Sequence, residues 1–338
     1  MNAELDKGSE DIEVPPNAAA RDLLGMLDVD GDLDDILALA RHLKLDFKDG
    51  RPRPLLAGKS AVLIFEKPST RTRVSFELGC AKLGMTSVFL SSRDIHLGKG
   101  GESIEDTAMT ISRYADLMVY RAFKREDVAE LAQHAAIPVI NALDDHEHPC
   151  QVLADFLTLR ERFGGVKGLR FLYVGDGANN VATSYLFGGA LAGMHVTIAS
   201  PEGYSPDATD IAEARKLAAA RGGSVTLVHD PDKGYAGQDV VATDTWVSMG
   251  DEAERETRLR AFGNWTVTEE RFARATPHAV FIHCLPAYYG YEVTKEVASG
   301  PHSLIWDEAE NRMWAQMAAM VWLVAPKTFE AYKVTRSL

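Results

Sequence analysis

Short apolar, β-branched runs alternate with helical stretches along almost the whole chain. This alternation restricts it to parallel sheets covered by helices on both faces. Candidate strands are Ser60–Phe65, Ser87–Leu90, Leu117–Tyr120 and Pro138–Asn141, then Leu169–Gly175, His195–Ala199, Ser224–His229, Val240–Thr243 and Val280–His283. Helical patterns fall between them at Arg73–Leu83, Ile104–Tyr114, Glu126–Gln133, Val181–Ala192 and Ile211–Arg221. A longer helical run, Cys150–Arg162, ends in the Gly-rich stretch Phe163–Gly168, the natural break between the two groups of strands. The chain has 338 residues, room for about two domains that each bury a core. The expected class is therefore α/β, with two doubly wound parallel-sheet domains joined by helices. The last amphipathic stretch, about Glu308–Leu323, either completes the second domain or crosses back to the first, and its pattern fits both.

Charge narrows the function. Lys plus Arg total 36 against 49 for Asp plus Glu, a formal net charge of −13. An acidic chain is poorly suited to nucleic acid or an anionic membrane surface, so neither is expected as a partner. A basic site would have to be local, which suits a small anionic ligand. Three cysteines, Cys80, Cys150 and Cys284, are too few for a disulfide framework and match no zinc spacing. They fit a reducing, cytoplasmic compartment. No run reaches the roughly 18 apolar residues of a membrane span. The acidic start, with Glu4, Asp6, Glu10, Asp11 and Glu13, resembles neither a signal peptide nor a basic transit peptide.

Ligands of open α/β sheets collect at the carboxyl ends of the strands, and the polar motifs of this chain sit there. Ser69-Thr70-Arg71-Thr72-Arg73 follows the first strand and opens a helix. Free backbone N–H groups, hydroxyls and guanidinium forks at a helix start make an anion site. Two arginines in a first turn otherwise oppose the helix dipole. Arg121 ends the third strand. In His148-Pro149-Cys150-Gln151 the proline suits the first helical position. That places His148 at the positive helix end, which favours a neutral imidazole able to polarise a carbonyl. Asp145, His146 and His148 have no second ligand cluster, so no metal is expected.

Gly175-Asp176-Gly177-Ala178-Asn179-Asn180 lacks the third glycine of a dinucleotide loop, and no cofactor is expected. The asparagine side chains here, Asn179 and Asn180, instead suit an amino-acid head group. Asp244-Thr245-Trp246-Val247-Ser248-Met249-Gly250 offers an acid for an ammonium group. His283-Cys284-Leu285-Pro286 offers a thiol, read equally well as a nucleophile, a non-covalent contact or a buried strand end. Arg312 in the last helix is a further anion ligand. Taken singly, most of these segments also read as ordinary caps, turns or loops.

Together, and in this order, these segments resemble the aspartate/ornithine carbamoyltransferase family, with Phe76-Glu77, Asp94-Ile95-His96-Leu97-Gly98 and Glu310-Asn311-Arg312 completing the match over about residues 60–320. Ser-Thr-Arg-Thr-Arg marks the whole family. Asp-x-x-x-Ser-Met-Gly and His-Cys-Leu-Pro mark its ornithine branch. The resemblance implies a carbamoyl-phosphate domain, residues 1–147, with a C-terminal helix of about 308–338 packing back on it. It implies an ornithine domain, residues 148–307, that includes the linking helix 150–162. It also implies a homotrimer or a multiple of trimers with His96 donated to a neighbour's site. The stretch Lys99–Ser103 is one residue longer than the family loop.

The reaction implied is attack of a neutral δ-amine of L-ornithine on carbamoyl phosphate, giving L-citrulline and phosphate. In that chemistry Ser69, Thr70, Arg71, Thr72, Arg121 and His96 hold the phosphate. Thr72, Arg121 and His148 face the developing oxyanion. Gln151, the Leu285 carbonyl and Arg312 complete the carbamoyl pocket. Asn180, Asp244, Ser248 and Met249 hold ornithine, Asp244 taking the α-ammonium, with Cys284 beside the δ-amine without a covalent bond. The rival readings are transfer to N-acylated ornithine, putrescine or lysine, and a non-catalytic α/β binding protein.

Overall fold

A computed structural model describes residues 21–91, 101–248 and 252–337. The first sheet contains β1 (Ser60–Phe65), β2 (Thr86–Ser91), β3 (Leu117–Arg121) and β4 (Val139–Leu143), all parallel, in the order β2-β1-β3-β4. The second contains β5 (Arg170–Val174), β6 (His195–Ala199), β7 (Ser224–Val228), β8 (Val240–Thr243) and β9 (Val280–Ile282), again all parallel, in the order β7-β6-β5-β8-β9. Central strands are apolar up to their carboxyl ends because both faces are covered: every residue of β3 and β8 is buried. Edge strands β2 and β7 are only partly covered.

Each sheet has one switch point, where successive crossovers diverge to opposite sides. In the first it lies between β1 and β3, and in the second between β5 and β8. Crevices open beyond the carboxyl ends of such strand pairs.

Twelve helices of the described residues complete the layers. Seven are α1 (Leu33–Lys48), α2 (Thr70–Leu83), α3 (Ile104–Ile111), α4 (Arg125–His134), α5 (Pro149–Phe163), α6 (Asn180–Leu191) and α7 (Ala208–Arg221). The others are α8 (Arg255–Phe262), α9 (Glu269–Phe272), α10 (Lys295–Ala298), α11 (Ile305–Val324) and α12 (Pro326–Ser337). Helices α1, α8, α9 and α10 were not among the elements expected, whereas α12 falls in the expected C-terminal helical stretch of about 308–338. Helix α2 begins three residues before the expected Arg73, because Ser69 caps it by accepting the N–H of Thr72 at 3.3 Å. The shift brings Arg71 and Thr72 into the first turn. Helix α3 ends at Ile111, short of the expected Tyr114.

Helix α11 packs on α1 and α2 beside the first sheet and on the linking helix α5. It is buried almost all round, as its weakly amphipathic sequence requires. Gly79 permits the approach of α2: a Cβ there would lie 3.2 Å from Met317 Cγ. A single apolar cluster runs from Leu63 and Phe65 through α5 and α11 to Phe171 and Tyr173, joining the two halves. No described helix is long and apolar enough to cross a membrane.

Candidate active site

A cavity of about 340 Å³ opens between the two sheets. It is built from the strands beside both switch points. The loop after β1 carries Lys67 to Thr72, β3 ends in Arg121, the turn after β5 leads to Asn180, and β8 leads into Asp244. His148, Cys284, Leu285 and Arg312 also line it.

Positive charge dominates the first half. Arg121 and Arg312 are buried, and Arg71 is half-buried. The Nε atoms of all three are enclosed without a hydrogen-bond partner, and none of the three forms an ion pair among the described residues. Arg71 Nη2 donates to the Leu285 carbonyl across the cleft. Arg312 reaches Thr72 Oγ1 at 3.4 Å and the Cys284 carbonyl at 3.5 Å. Burial, with Arg312 and Arg71 alongside, pushes the Arg121 guanidinium down to about 10. Burial and Arg312 also lower Arg71. Cations this crowded and desolvated are costly by themselves, and a bound dianion offsets that cost.

His148 caps α5 and Pro149 occupies the first helical position, as expected from sequence. Its imidazole is held well below the usual histidine range, first by burial and then by Arg312, Arg121 and Arg71. Burial and three cations therefore favour the neutral ring expected at this helix end. Its backbone N–H donates to Ser184 Oγ at 2.8 Å, and Nδ1 is buried without a partner among the described residues.

The second half is acidic and amide-rich. Asp244 Oδ1 accepts the Thr245 N–H at 2.7 Å and the Cys284 thiol at 3.1 Å, and Oδ2 accepts Asn179 Nδ2 at 3.1 Å. Asn179 Nδ2 also reaches Ser248 Oγ at 3.3 Å. Asn180 Nδ2 donates to the Asp144 carbonyl at 2.6 Å. Burial, Asp244 and Glu308 hold the Cys284 thiol well above its ordinary range, which opposes a thiolate nucleophile.

Of the expected residues, Ser69, Thr70, Arg71, Thr72, Arg121, His148, Asn180, Asp244, Ser248, Cys284, Leu285 and Arg312 share this one cavity. Gln151 does not line it: its Nε2 is held behind the wall on Asp155 and Glu308, while its Oε1 is buried without a partner among the described residues. His96 and Met249 lie outside the described residues, as does part of the Lys99–Ser103 stretch. Asp145 and His146 turn away to the Arg125 N–H and to Asp210, so they do not join His148. The turn Gly175–Asn180 is closed by Asp176, which accepts the Ala178 N–H at 3.0 Å and pairs with Arg258 at 2.6 Å.

Sequence reasoning missed Thr245, Val247 and Tyr288. Tyr288 had no signal in the sequence. Asn179, one of the two asparagines expected at a head group, caps α6 and donates to Asp244.

Two family models match the chain. One is described as the carbamoyl-P binding domain of aspartate/ornithine carbamoyltransferase and matches residues 21–161. The other is described as the Asp/Orn binding domain and matches residues 167–323. Ornithine carbamoyltransferase of Symbiobacterium thermophilum is 50% identical over 306 residues, 90% of this chain and 98% of that protein. The solved ornithine carbamoyltransferase of Pyrococcus furiosus superposes with a TM-score of 0.87 at 46% identity, over 90% of this chain and 97% of that one. A solved acetylornithine transcarbamylase complexed with acetylcitrulline superposes with a TM-score of 0.81 at 33% identity, over 90% and 99%.

Proposed function

The chain belongs to the aspartate/ornithine carbamoyltransferase family, and from that premise we infer how its cavity transfers the carbamoyl group of carbamoyl phosphate to the δ-amine of L-ornithine. The products are L-citrulline and phosphate. The observation that carries the assignment is the set of three guanidiniums turned into one cavity without carboxylate partners among the described residues, facing a wall that holds Asp244.

Ser69, Thr70, Arg71, Thr72 and Arg121 bind the phosphate at the start of α2. The Thr72 hydroxyl, Arg121 and the neutral His148 ring stabilise the oxyanion that forms when the amine attacks the carbonyl carbon. Gln151 and the Leu285 carbonyl take the carbamoyl –NH₂, and Arg312 closes that pocket. Asn180, Asp244, Ser248 and Met249 hold the ornithine head group, with the Asp244 carboxylate on the α-ammonium. Cys284 packs beside the δ-amine as a thiol. A C–N bond forms, the C–O bond to phosphate breaks, and phosphate leaves with the electron pair and takes up the proton that the amine gives up.

The chain divides at the start of α5: residues 1–147, with about 308–338 packed back on them, bind carbamoyl phosphate, and residues 148–307 bind ornithine. The contacts of α11 with α1 and α2 support this division. The working assembly is a homotrimer in which His96 enters a neighbour's site. Val74, Leu78 and Val88 stay exposed on α2 and β2, at the sheet edge nearest Ser69 and Thr70, which supports burial of that edge against another copy. Three free cysteines fit the cytoplasm.

Citrulline-type product formation from carbamoyl phosphate, measured in parallel with ornithine, N-acetylornithine, putrescine and lysine, tests the reading. Turnover with ornithine is expected to exceed the others by at least about 10-fold: N-acetylornithine and putrescine offer Asp244 no α-ammonium beside a carboxylate, and lysine carries its amine one methylene too far. Preference for N-acetylornithine would remove that role from Asp244.

A further inference from the structure

Behind the cavity wall, side chains from three helices meet out of contact with water. They are Gln151 and Asp155 one turn apart on α5, Tyr185 on α6 and Glu308 in the first turn of α11, none more than 2% exposed. Gln151 Nε2 donates to Asp155 Oδ1 at 2.7 Å and to Glu308 Oε1. The Tyr185 hydroxyl donates to Asp155 Oδ2 at 2.6 Å. Glu308 Oε2 accepts the backbone N–H of His283 at 3.0 Å. The two carboxyls also hydrogen-bond each other. Both cannot ionise in so dry a place. Burial and Asp155 keep the proton on Glu308, while Asp155 is raised to about 6, its Tyr185 and Gln151 hydrogen bonds opposing the burial.

The consequence falls on Gln151. A primary amide presents donors at one end and an acceptor at the other. Here both acceptors, Asp155 and Glu308, occupy the donor end. Turning the amide over would set its oxygen against the Asp155 carboxylate, while the Glu308 proton is already held by Asp155. Gln151 Oε1 is therefore left as the spare group, buried and without a partner among the described residues. Gln151 sits in the same first turn of α5 that presents His148 to the cavity. Through the His283 N–H, Glu308 also holds the strand end that leads to the Leu285 carbonyl. The two acceptors assigned to the carbamoyl –NH₂ are thus tied to one side chain.

We propose that Glu308, with Asp155, is a positioning residue that locks the Gln151 amide with its oxygen as the acceptor. In this way it sets the preference for a carbamoyl donor over an acyl phosphate bearing a methyl group in the same place. The proposal rests on the assignment of Gln151 to the carbamoyl –NH₂ above. It places the selectivity for –NH₂ in a residue that touches no substrate.

The test compares the full-length wild type, Glu308→Leu, Glu308→Asp, Glu308→Gln, Gln151→Ala and the double variant Gln151→Ala/Glu308→Leu. The probes are the KM for carbamoyl phosphate and competitive inhibition by acetyl phosphate and by inorganic phosphate. Glu308→Leu should raise the KM by about 30-fold, the loss of a hydrogen bond to a buried group, and move the two inhibition constants by less than about 3-fold. Glu308→Asp, one methylene shorter and gentler to the core, should show the same selective loss. Glu308→Gln has one acceptor oxygen and can serve the Gln151 amide or the His283 N–H but not both, so its KM should lie between those of wild type and Glu308→Leu. Adding Glu308→Leu to Gln151→Ala should cost less discrimination than Glu308→Leu costs the wild type, since the amide route is already gone and only the route through the His283 N–H remains. Equal weakening of carbamoyl phosphate, acetyl phosphate and phosphate would overturn the proposal, as would an unchanged KM. A wild type that makes no citrulline would instead overturn the functional reading beneath it.

Discussion

Cys284 and His148 show how much a residue's neighbours decide its chemistry. A thiol next to a histidine in sequence invites a nucleophile–base reading. In the fold the thiol donates to Asp244 Oδ1 at 3.1 Å, and burial, Asp244 and Glu308 keep it protonated. His148 stays neutral for the opposite reason, since burial and three guanidiniums disfavour a further positive charge. Neither group changes charge in the working range, which leaves the ornithine δ-amine as the titrating reactant. At subsaturating ornithine, activity should climb from pH 6 to 9 toward an amine pKa of roughly 10. Cys284→Ala should keep that slope and lose less than about 10-fold in kcat, far from the loss of about 10⁴-fold or more expected of a covalent nucleophile. A flat pH profile, or a dead alanine variant that still binds both substrates, would restore the covalent reading. The motif types at strand ends were legible as residues. Their charge states were not, because the groups that set them come from distant parts of the chain: Arg312 lies beside Thr72, and Glu308 behind Gln151.

At the scale of elements, the alternation of strands and helices was legible because burial on both faces leaves continuous apolar runs. All nine candidate strands appear in the sheets, most of them within a residue or two of their expected ends. What periodicity could not show is which helix lies against which sheet. The direction of α11 was open in the sequence, and it is decided by packing on α1, α2 and α5. The junction of β4, α5 and α6 depends on such a long-range contact. Glu147, buried just before α5, accepts the Met26 N–H and the Ser184 hydroxyl at 2.9 Å each, and Ser184 Oγ in turn receives the His148 N–H. Burial raises its carboxyl from 4.5 to about 7, despite those two hydrogen bonds. An acid whose folded value is raised contributes stability below its unfolded value, and that contribution is lost as pH rises through the folded value. The window is therefore about pH 4.5 to 7. Urea midpoints of the wild type should fall across it relative to Glu147→Gln, whose amide oxygen still accepts both hydrogen bonds. Parallel midpoints for the two proteins over that range would show that Glu147 ionises in the fold as it does in the unfolded chain.

For the whole molecule, the cavity draws its residues from both halves, and Arg71 bridges them by its hydrogen bond to the Leu285 carbonyl. A site divided in this way is assembled only when both sheets are in place, so neither half is expected to work alone. The proposed trimer extends the same logic across chains, because His96 would serve a neighbour while Arg71 serves its own site. Closed threefold symmetry gives each chain one donor role and one acceptor role. Arg71→Ala and His96→Ala trimers should each have lost most activity. Dissociating and reassembling an equal mixture should then restore about one quarter of wild-type activity, because one site in four pairs an intact Arg71 with an intact His96 from the next chain. Recovery of that size needs the two residues to come from different chains. If both served the site of their own chain, every site in the mixture would carry one lesion, and the mixture would stay as inactive as its parents. The same experiment fixes the minimum assembly, since restored activity must run with the mass of a hybrid oligomer and not with that of a single chain.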